Sequence, residues 1–303
     1  MAKRRGLRII LWTACAGVVL TLGALSWRPE WIVLVAPGVR VSSTYCSRWK
    51  AAGDERILLA QGAAAQRIGA GSSMLRTDGK LELWRTPQGE FWIPGGSSTV
   101  LFTLLAQQER MIYGTVPKGG TVIDCGAHVG VFTKAALARQ AAHVVAVEPA
   151  PDALECFRRN LKAEIADGRV AIVPKGIWDK DGELTFFLNG NGDAADSFVT
   201  HGDGSKKTVV PVTTLDTILA EQKLSSVELV KMDVKGATSR ALAGGKVLIA
   251  RFHPHLALAT EEPPEDPASL TAQVQEFKAG YTAICGPCFL IEKEVRTDVM
   301  FYQ

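Results

Sequence analysis

The stretch Thr121–Pro149, TVIDCGAHVGVFTKAALARQAAHVVAVEP, decides the fold of this chain. Thr121–Cys125 is a short apolar run that a glycine ends, and His143–Val147 is a second apolar run that ends at Glu148. Between them, Val129–Ala142 has apolar residues at helical spacing, which predicts a helix. The stretch therefore predicts one strand–loop–helix–strand unit, the building block of a parallel sheet.

The loop after the first predicted strand can approach a ligand closely. Gly126 and Gly130 carry no Cβ, so the backbone is open at both positions. A helix that begins near Gly130 presents unpaired N–H groups to the loop. Ala127 and His128 lie between the glycines, and Asp124 precedes them, where it can fix the loop or hold a positive group.

Glu148 ends the second predicted strand, where dinucleotide folds place an acid that binds two ribose hydroxyls. A nicotinamide or flavin site requires G-x-G-x-x-G, and a P-loop requires G-K-[ST]; residues 126–130 fit neither. S-adenosylmethionine (SAM) has no pyrophosphate and needs fewer backbone donors, so it suits an open glycine loop with Asp124 and Glu148. A sheet turn that binds no ligand stays open as the alternative.

Several blocks in chain order make the sequence resemble the FkbM family of SAM-dependent methyltransferases over residues 94–301. They are IDCGAHVGVFT (123–133), VVAVEPAPDALECFRRNL (144–161), KGIWDKDGELTFF (175–187), VPVTTLDTIL (210–219), and VELVKMDVKGA (227–237) followed by HPHLALATEE (253–262). The resemblance implies an α/β fold of the class I, Rossmann-like methyltransferase type. We expect a mostly parallel seven-stranded sheet with helices on both faces, and SAM as the methyl donor.

The predicted donor site gathers residues at the ends of successive strands. Gly176 and Ile177 follow the third predicted strand, Val170–Pro174, where an adenine would lie if Glu148 holds the ribose. Trp178 could stack on that adenine or belong to the core. The predicted cofactor-binding residues are Asp124, Gly126, Ala127, His128, Gly130, Glu148, Gly176 and Ile177.

The fourth predicted strand, Val227–Val234, carries the main departure from the family. Asp233 falls at its carboxyl end, beside the cleft in which α/β sheets bind ligands; a structural aspartate paired with Lys231 is the alternative. Family members usually read D-V-E-G-A-E, whereas residues 233–238 read D-V-K-G-A-T, with Lys235 and Thr238 in place of both glutamates. If the first glutamate of the family motif holds a metal or an acceptor hydroxyl, or acts as a base, Lys235 cannot take over that role. The substitution therefore favours either an anionic acceptor or weakened activity.

Methyl transfer is an in-line displacement at an activated sulfonium, so the protein mainly supplies proximity and alignment. A hydroxyl acceptor also needs a base, and histidine titrates near neutrality. The candidates are Asp233, His253, His255 and His128, of which we rank Asp233 first and His253 second as catalytic residues. His253-Pro254-His255 opens the fifth predicted strand, so a structural role for both histidines is the alternative. No metal-ligand set is predicted.

The N-terminus predicts a membrane anchor. Lys3, Arg4, Arg5 and Arg8 precede Ile9–Trp27, which contains no charged residue and has about the length that spans a bilayer as a helix. A cleaved signal peptide is the rival. Basic residues before the span favour a cytoplasmic N-terminus, which would place the domain outside the cytoplasm; because SAM is expected inside, we predict a single-pass protein with a cytoplasmic catalytic domain.

The sequence divides into three predicted parts. Residues 1–30 form the basic flank and the transmembrane helix, residues 31–115 a membrane-proximal cap, and residues 116–303 the methyltransferase domain. The cap has helical spacing over Asp54–Gly69 and Thr99–Tyr113, with a hairpin pattern over Arg76–Ile93.

Composition excludes some classes of protein. The chain is 47% hydrophobic and 21% charged, as in ordinary globular domains, and its net charge of +3 is too small to indicate a nucleic-acid partner. The six cysteines do not resemble a secreted disulfide framework, which supports a cytoplasmic domain. Cys285-Gly286-Pro287-Cys288 has the spacing of a redox motif, but it joins two predicted strands instead of opening a helix. We therefore interpret it as a hairpin turn with two incidental thiols; half of a metal site and the redox role of a membrane-tethered thiol oxidoreductase stay open as alternatives.

The predicted function is O-methylation of a hydroxyl on a saccharide or envelope-associated metabolite, either a small molecule or a glycan-linked or lipid-linked acceptor. The polar loop Asn189–Lys207 predicts a mobile lid over that acceptor, in which Ser197 and His201 could touch substrate. The alternative is a membrane-tethered SAM-binding protein that no longer catalyses, which Lys235 and Thr238 favour.

Overall fold

The computed structural model describes residues 32–41, 44–188, 198, 206–261, 265–291 and 293–303. The predicted anchor over Ile9–Trp27 and most of the predicted lid over Asn189–Lys207 lie outside these ranges. Within them, no helix has both the length and the apolar character needed to cross a membrane.

An N-terminal layer precedes the central sheet. Its elements are α1 (Ile32–Val35), β1 (Arg40–Val41), α2 (Arg48–Ala70), β2 (Ser73–Asp78), β3 (Leu81–Thr86), β4 (Gly89–Pro94) and α3 (Ser98–Arg110). The predicted hairpin is confirmed as β3 and β4, which pair antiparallel from Leu81↔Pro94 to Thr86↔Gly89. Strand β2 was missed, because it is exposed along its whole length and so shows no apolar alternation.

The elements that follow alternate between strands and helices. They are β5 (Thr121–Cys125), α4 (Val131–Ala138), β6 (His143–Val147), α5 (Pro151–Asn160), α6 (Lys162–Ala166), β7 (Val170–Val173), β8 (Gly176–Ile177), β9 (Gly182–Leu188), β10 (Lys206–Thr213), α7 (Leu215–Glu221), β11 (Leu229–Met232), α8 (Thr238–Ala243), α9 (Lys246–Phe252), β12 (His255–Ala259), α10 (Pro267–Phe277), β13 (Ala283–Cys285), β14 (Cys288–Ile291), β15 (Glu294–Thr297) and β16 (Val299–Tyr302).

Seven strands form the central sheet in the order β13-β16-β12-β11-β5-β6-β7. The run from β12 to β7 is parallel, and β16 runs antiparallel to both of its neighbours. The sheet is therefore mixed and mostly parallel, as the sequence predicted. Because the parallel strands all end at one edge, the loops that follow β5, β6 and β11 meet there.

Helices cover both faces of this sheet, because neighbouring residues of a strand point to opposite sides. Ile123, Val145 and Val230 pack on one face in a single cluster with the apolar sides of α7, α9 and α10. Val122 and Val144 pack on the other face with residues of α4. The alternation of strands and helices along the chain therefore predicted the layers correctly.

One predicted helix forms two shorter helices in the structure. The predicted helix 151–166 is interrupted at Leu161, which separates α5 from α6. At the end of α5, the Asn160 side chain accepts from the Trp92 N–H at 2.6 Å and donates to the Trp92 carbonyl at 2.9 Å. This long-range pairing docks α5 on β4, and no local pattern encodes it.

The prediction that Cys285 and Cys288 are two incidental thiols was wrong for Cys288. Cys46 and Cys288 form a disulfide across 242 residues of sequence, which ties the start of the N-terminal layer to the hairpin β14–β15. Strand β1 pairs with β15 at the same place. Because disulfides persist in oxidising compartments, the cysteines no longer support a cytoplasmic domain.

Candidate functional site

A cleft lies at the edge where the parallel strands end. It contains about 890 Å³ of space between protein atoms, including the part open to solvent. The loops after β5, β6 and β11, strand β8 and helix α3 all contribute to its walls. Its residues include Leu104, Gln108, Tyr113, Gly126, Ala127, His128, Phe132, Glu148, Gly176, Ile177, Phe186, Phe198, Lys231, Asp233 and Lys235.

The glycine loop is shaped by close contact with the neighbouring strand. Gly126 has a φ of +78°, and a Cβ there would overlap the carbonyl oxygen of Asp233 and lie 3.0 Å from its carbonyl carbon. The N–H groups of Gly126 and Ala127 both donate to the carbonyl of Val147, at 3.0 and 3.1 Å. The loop therefore folds tightly over the ends of three strands, and Ala127 and His128 face the cleft.

Glu148 is held in place by backbone donors. One carboxylate oxygen accepts from the His128 N–H and the other from the Ala150 N–H, both at 2.8 Å. The side chain is buried, and it lines the cleft. Because an ionised carboxylate oxygen can accept more than one hydrogen bond, these two contacts are compatible with the predicted ribose contact.

Asp124 does not line the cleft, contrary to the prediction that it contacts the cofactor. It is fully buried beneath the loop, where it pairs with Lys231 at 3.0 Å and accepts from the Thr133 hydroxyl at 2.7 Å. Lys231 also donates to the Gly126 carbonyl at 2.8 Å. Burial lowers the pKa of Lys231, but the charges of Asp124 and Asp233 and the contact with Asp124 together outweigh burial and raise that pKa above its usual value. Lys231 therefore stays protonated, and its contacts with Asp124 and the Gly126 carbonyl fix the loop.

Asp233 lies in a network of charged and hydroxyl groups at the end of β11. Tyr113 donates its hydroxyl to one carboxylate oxygen at 2.7 Å, and Lys235 approaches the other at 3.7 Å. Lys235 also lies 3.3 Å from Glu261. Burial raises the pKa of Asp233, but Lys235, Lys231 and the Tyr113 hydrogen bond together outweigh it and lower that pKa to about 2.

Tyr113 was missed as a site residue. Burial and the Asp233 charge raise its pKa well above its usual value, so it remains a protonated donor. It is separated from Asp233 by 120 residues of sequence, and it ends a predicted cap helix that carried no chemical signal. Two aromatic residues of the cleft, Phe186 and Phe198, were also missed, because the sequence around them carried no chemical signal.

A Lys235→Met variant is expected to raise the pKa of Asp233 by about one unit or more, because an opposite charge within a few ångströms shifts a carboxyl by about 1–3 units. The pKa of about 2 is below the unfolded value of about 3.9, so ionisation of Asp233 stabilises the fold above about pH 4 and this stabilisation is lost as the pH falls toward 2. Because the pKa of Asp233 is higher in Lys235→Met, the variant should lose this stabilisation at a higher pH than the parent protein does. Titration of the carboxyl ¹³C signals by NMR measures this, with the exposed Lys246→Met as control; equal titration curves would contradict it.

Of the residues that follow the third strand, Gly176 and Ile177 lie at the cleft, and Trp178 does not take the first of its two predicted positions, stacking in the donor site. Gly176 and Ile177 line the cleft in β8. Trp178 does not line it; its ring lies 5.8 Å from Phe198 and 5.9 Å from the guanidinium of Arg240. Phe198 packs directly on Gly176, where a Cβ would overlap its ring, so the aromatic wall belongs to Phe198 and Phe186.

His253 is not brought to the cleft, which corrects its prediction as a catalytic residue. It ends α9 with a φ of +48° and precedes β12. His255 is in register with Leu229, four residues before Asp233, which corresponds to roughly 13 Å along a strand. His253 therefore lies at the amino edge of the sheet, where its ring contacts that of Tyr281 at 4.1 Å.

The strand order, the open glycine loop after β5 and the acid after β6 define a methyltransferase-like α/β fold. Residues 124–281, more than half of the chain, match the model of the Methyltransferase FkbM domain. The chain belongs to this family of methyltransferases, and its cofactor is S-adenosyl-L-methionine. No curated protein matches the chain.

Several solved structures are similar to the chain. Methyltransferase FkbM from Methylobacillus flagellatus is 14% identical with a TM-score of 0.47, and the match covers 84% of this chain and 60% of that one. A SAM-dependent methyltransferase from Agrobacterium tumefaciens is 13% identical with a TM-score of 0.40, covering 77% and 76%. SMU.1697c from Streptococcus mutans, solved with SAH, is 13% identical with a TM-score of 0.39, covering 65% and 96%. The family assignment rests on the family match alone.

Proposed function

We propose that this chain is a SAM-dependent methyltransferase that methylates a hydroxyl group of its acceptor. The observation that carries the donor part of the proposal is the Glu148 carboxylate, which two backbone N–H groups hold at the mouth of an open glycine loop. The hydroxyl acceptor is proposed from the family resemblance. A carboxylate fixed in this way suits the two hydroxyls of a ribose. Bound SAM supplies an activated methyl group, and the residues of the cleft supply position and exclude water.

Asp233 is the residue proposed to meet the acceptor. It lines the cleft at the end of β11 and is aligned by the Tyr113 hydroxyl. With a pKa of about 2, its carboxylate is a weak base near neutral pH, so its proposed role is to accept a hydrogen bond from the acceptor hydroxyl and orient it. Alignment of this kind can supply much of the rate of a displacement.

The acceptor class is proposed from two considerations. A saccharide or envelope-associated hydroxyl follows from the resemblance and from the predicted anchor over Ile9–Trp27. The expectation of an anionic acceptor loses its basis, because Lys235 lies between Asp233 and Glu261, which balance its charge. A neutral hydroxyl compound is therefore the acceptor we propose.

A second candidate is a SAM-binding protein that no longer catalyses. The position of Lys235 favours this candidate. Its ammonium forms ion pairs with Asp233 and with Glu261, so both carboxylates are already engaged. The two candidates differ in turnover and agree in binding. Formation of S-adenosylhomocysteine with envelope glycans present would support the enzyme, and its absence with intact SAM binding would support the second candidate.

Calorimetry of SAM binding tests the donor site that both candidates share. Glu148→Ala is expected to weaken binding tenfold or more, which corresponds to about 1.4 kcal/mol, because hydrogen bonds to a charged group are worth about 1.5–3 kcal/mol each. Glu276→Ala, an exposed acid on α10, serves as the matched control and should bind as the parent does. Equal affinity of both variants, or no binding by the folded parent protein, would overturn the proposal.

A further inference from the structure

Three sulfur atoms meet where the N-terminal layer contacts the last hairpin. Cys46 and Cys288 form a disulfide, and the Cys285 Sγ lies 3.7 Å from the Cys288 Sγ. All three sulfur atoms lie within 4.8 Å of one another. The third thiol is free, and it comes from the same C-G-P-C turn as one half of the disulfide. A thiol and a disulfide that touch in this way are the two reactants of an exchange reaction.

The three residues differ in their access to solvent. Cys288 is fully buried and Cys46 is 8% exposed, whereas Cys285 is only half-buried. A reductant from solvent therefore reaches the disulfide poorly and the free thiol more easily. A disulfide between Cys285 and Cys288 would have one sulfur at the more accessible position.

Neighbouring groups hold the C-G-P-C turn in place. Asp54 on α2 accepts from the Cys288 N–H at 2.8 Å, and it pairs with Lys50 at 2.6 Å. Lys50 also donates to the Gly286 carbonyl at 2.9 Å. These contacts run from α2 to the turn without passing through the disulfide, so they keep the sulfur atoms together in either disulfide state.

We propose that Cys285, Cys288 and Cys46 form a thiol–disulfide exchange site, in which Cys285 is the thiol through which solvent redox partners act on the buried disulfide. The Cys285 thiolate attacks the sulfur of Cys288, the Cys285–Cys288 bond forms, and the Cys46–Cys288 bond breaks. Cys46 leaves as a thiolate and takes up the proton that Cys285 gave up. One disulfide is replaced by another, so the step needs no external oxidant or reductant.

The exchange changes what the disulfide connects. In the observed state the bond fastens Cys46, and with it β1 and the start of α2, to the hairpin β14–β15. In the exchanged state the bond lies within one turn, and only non-covalent contacts hold the N-terminal segment. They are the packing of Val33, Val39 and Ala51, the pairing of β1 with β15, and the hydrogen bonds of Lys50 and Asp54 to the turn. The site therefore acts on the attachment of this segment, independently of methyl transfer.

Disulfide mapping of the full-length protein tests the site directly. The protein is equilibrated in glutathione buffers of different ratios, quenched in acid to stop exchange, digested and analysed by mass spectrometry. We expect a peptide linked through Cys285 and Cys288 beside the one linked through Cys46 and Cys288. Absence of the 285–288 link at every ratio would overturn the proposal, as would stoichiometric zinc on the three cysteines of the purified protein, which would assign them to metal binding.

A kinetic comparison tests the role of Cys285. Native-state reduction of the Cys46–Cys288 bond by dithiothreitol should be at least tenfold slower in Cys285→Ser than in the parent protein. Cys156→Ala, which removes a buried free thiol outside the cluster, should reduce at the parent rate. Circular dichroism before reduction establishes that each variant is folded. Equal rates in Cys285→Ser and the parent would show that solvent reductants do not act through Cys285.

Discussion

A Lys231→Met variant is expected to lose about 3–5 kcal/mol of its free energy of unfolding, because removal of one partner of a buried ion pair leaves the other charge uncompensated. Lys231 is 3% exposed, and Asp124, its partner at 3.0 Å, is not exposed at all. Methionine keeps the length and apolar stem of lysine, so the loss reports the charge. Denaturation in guanidinium chloride, followed by circular dichroism, measures it.

Two further variants make this expectation specific. The exposed Lys246→Met should change the free energy of unfolding by less than about 0.5 kcal/mol, as surface substitutions usually do. Addition of Asp124→Asn to Lys231→Met should recover part of the loss, because it removes the stranded charge. A Lys231→Met protein as stable as the parent would mean that the pair does not fix the glycine loop.

The sheet could be predicted because its signals are local. Thr121–Cys125 and His143–Val147 are apolar runs of strand length bounded by glycine or by an acid, and the structure has strands at these positions. Glu148 and Gly126 followed from the same reasoning, since the ends of parallel strands meet at one edge. Both residues line the cleft.

The other half of the site depends on contacts between distant parts of the chain. Tyr113 acquires its role from Asp233, and Cys46 acquires its partner from the far end of the sequence. Neither position has a periodicity or a motif that would indicate this. The sequence showed the substitution at Lys235, but only the structure places its ammonium between Asp233 and Glu261.

The prediction that His253 is catalytic was wrong because it ignored the direction of the neighbouring strand. His253 precedes a strand, and residues that precede a parallel strand lie at the edge opposite the cleft. Glu261 follows the same strand and lies on the cleft side, where it pairs with Lys235. Position relative to the strand, which the sequence does show, is therefore a better guide than chemical type when site residues are chosen on an α/β sheet.

Gly126→Ala is expected to destabilise the protein by about 2–5 kcal/mol and to abolish SAM binding. The positive φ alone costs an alanine about 1–2 kcal/mol. The new methyl would also overlap the Asp233 carbonyl, and overpacking of this kind typically costs about 1–3 kcal/mol more. The loop can relieve the overlap only by moving away from β11, which displaces the cleft wall at Ala127 and His128. Chemical denaturation and SAM calorimetry measure the two effects.

Gly168→Ala separates the two causes. Gly168 has a φ of +80°, nearly that of Gly126, but a Cβ there would meet no atom within 4 Å. It should therefore show the cost of the positive φ alone and bind SAM as the parent does. The difference between the two variants measures the close approach of the glycine loop to β11. If both variants lose the same stability and keep SAM affinity, the loop tolerates a side chain at Gly126, and its glycine would be needed only for the turn.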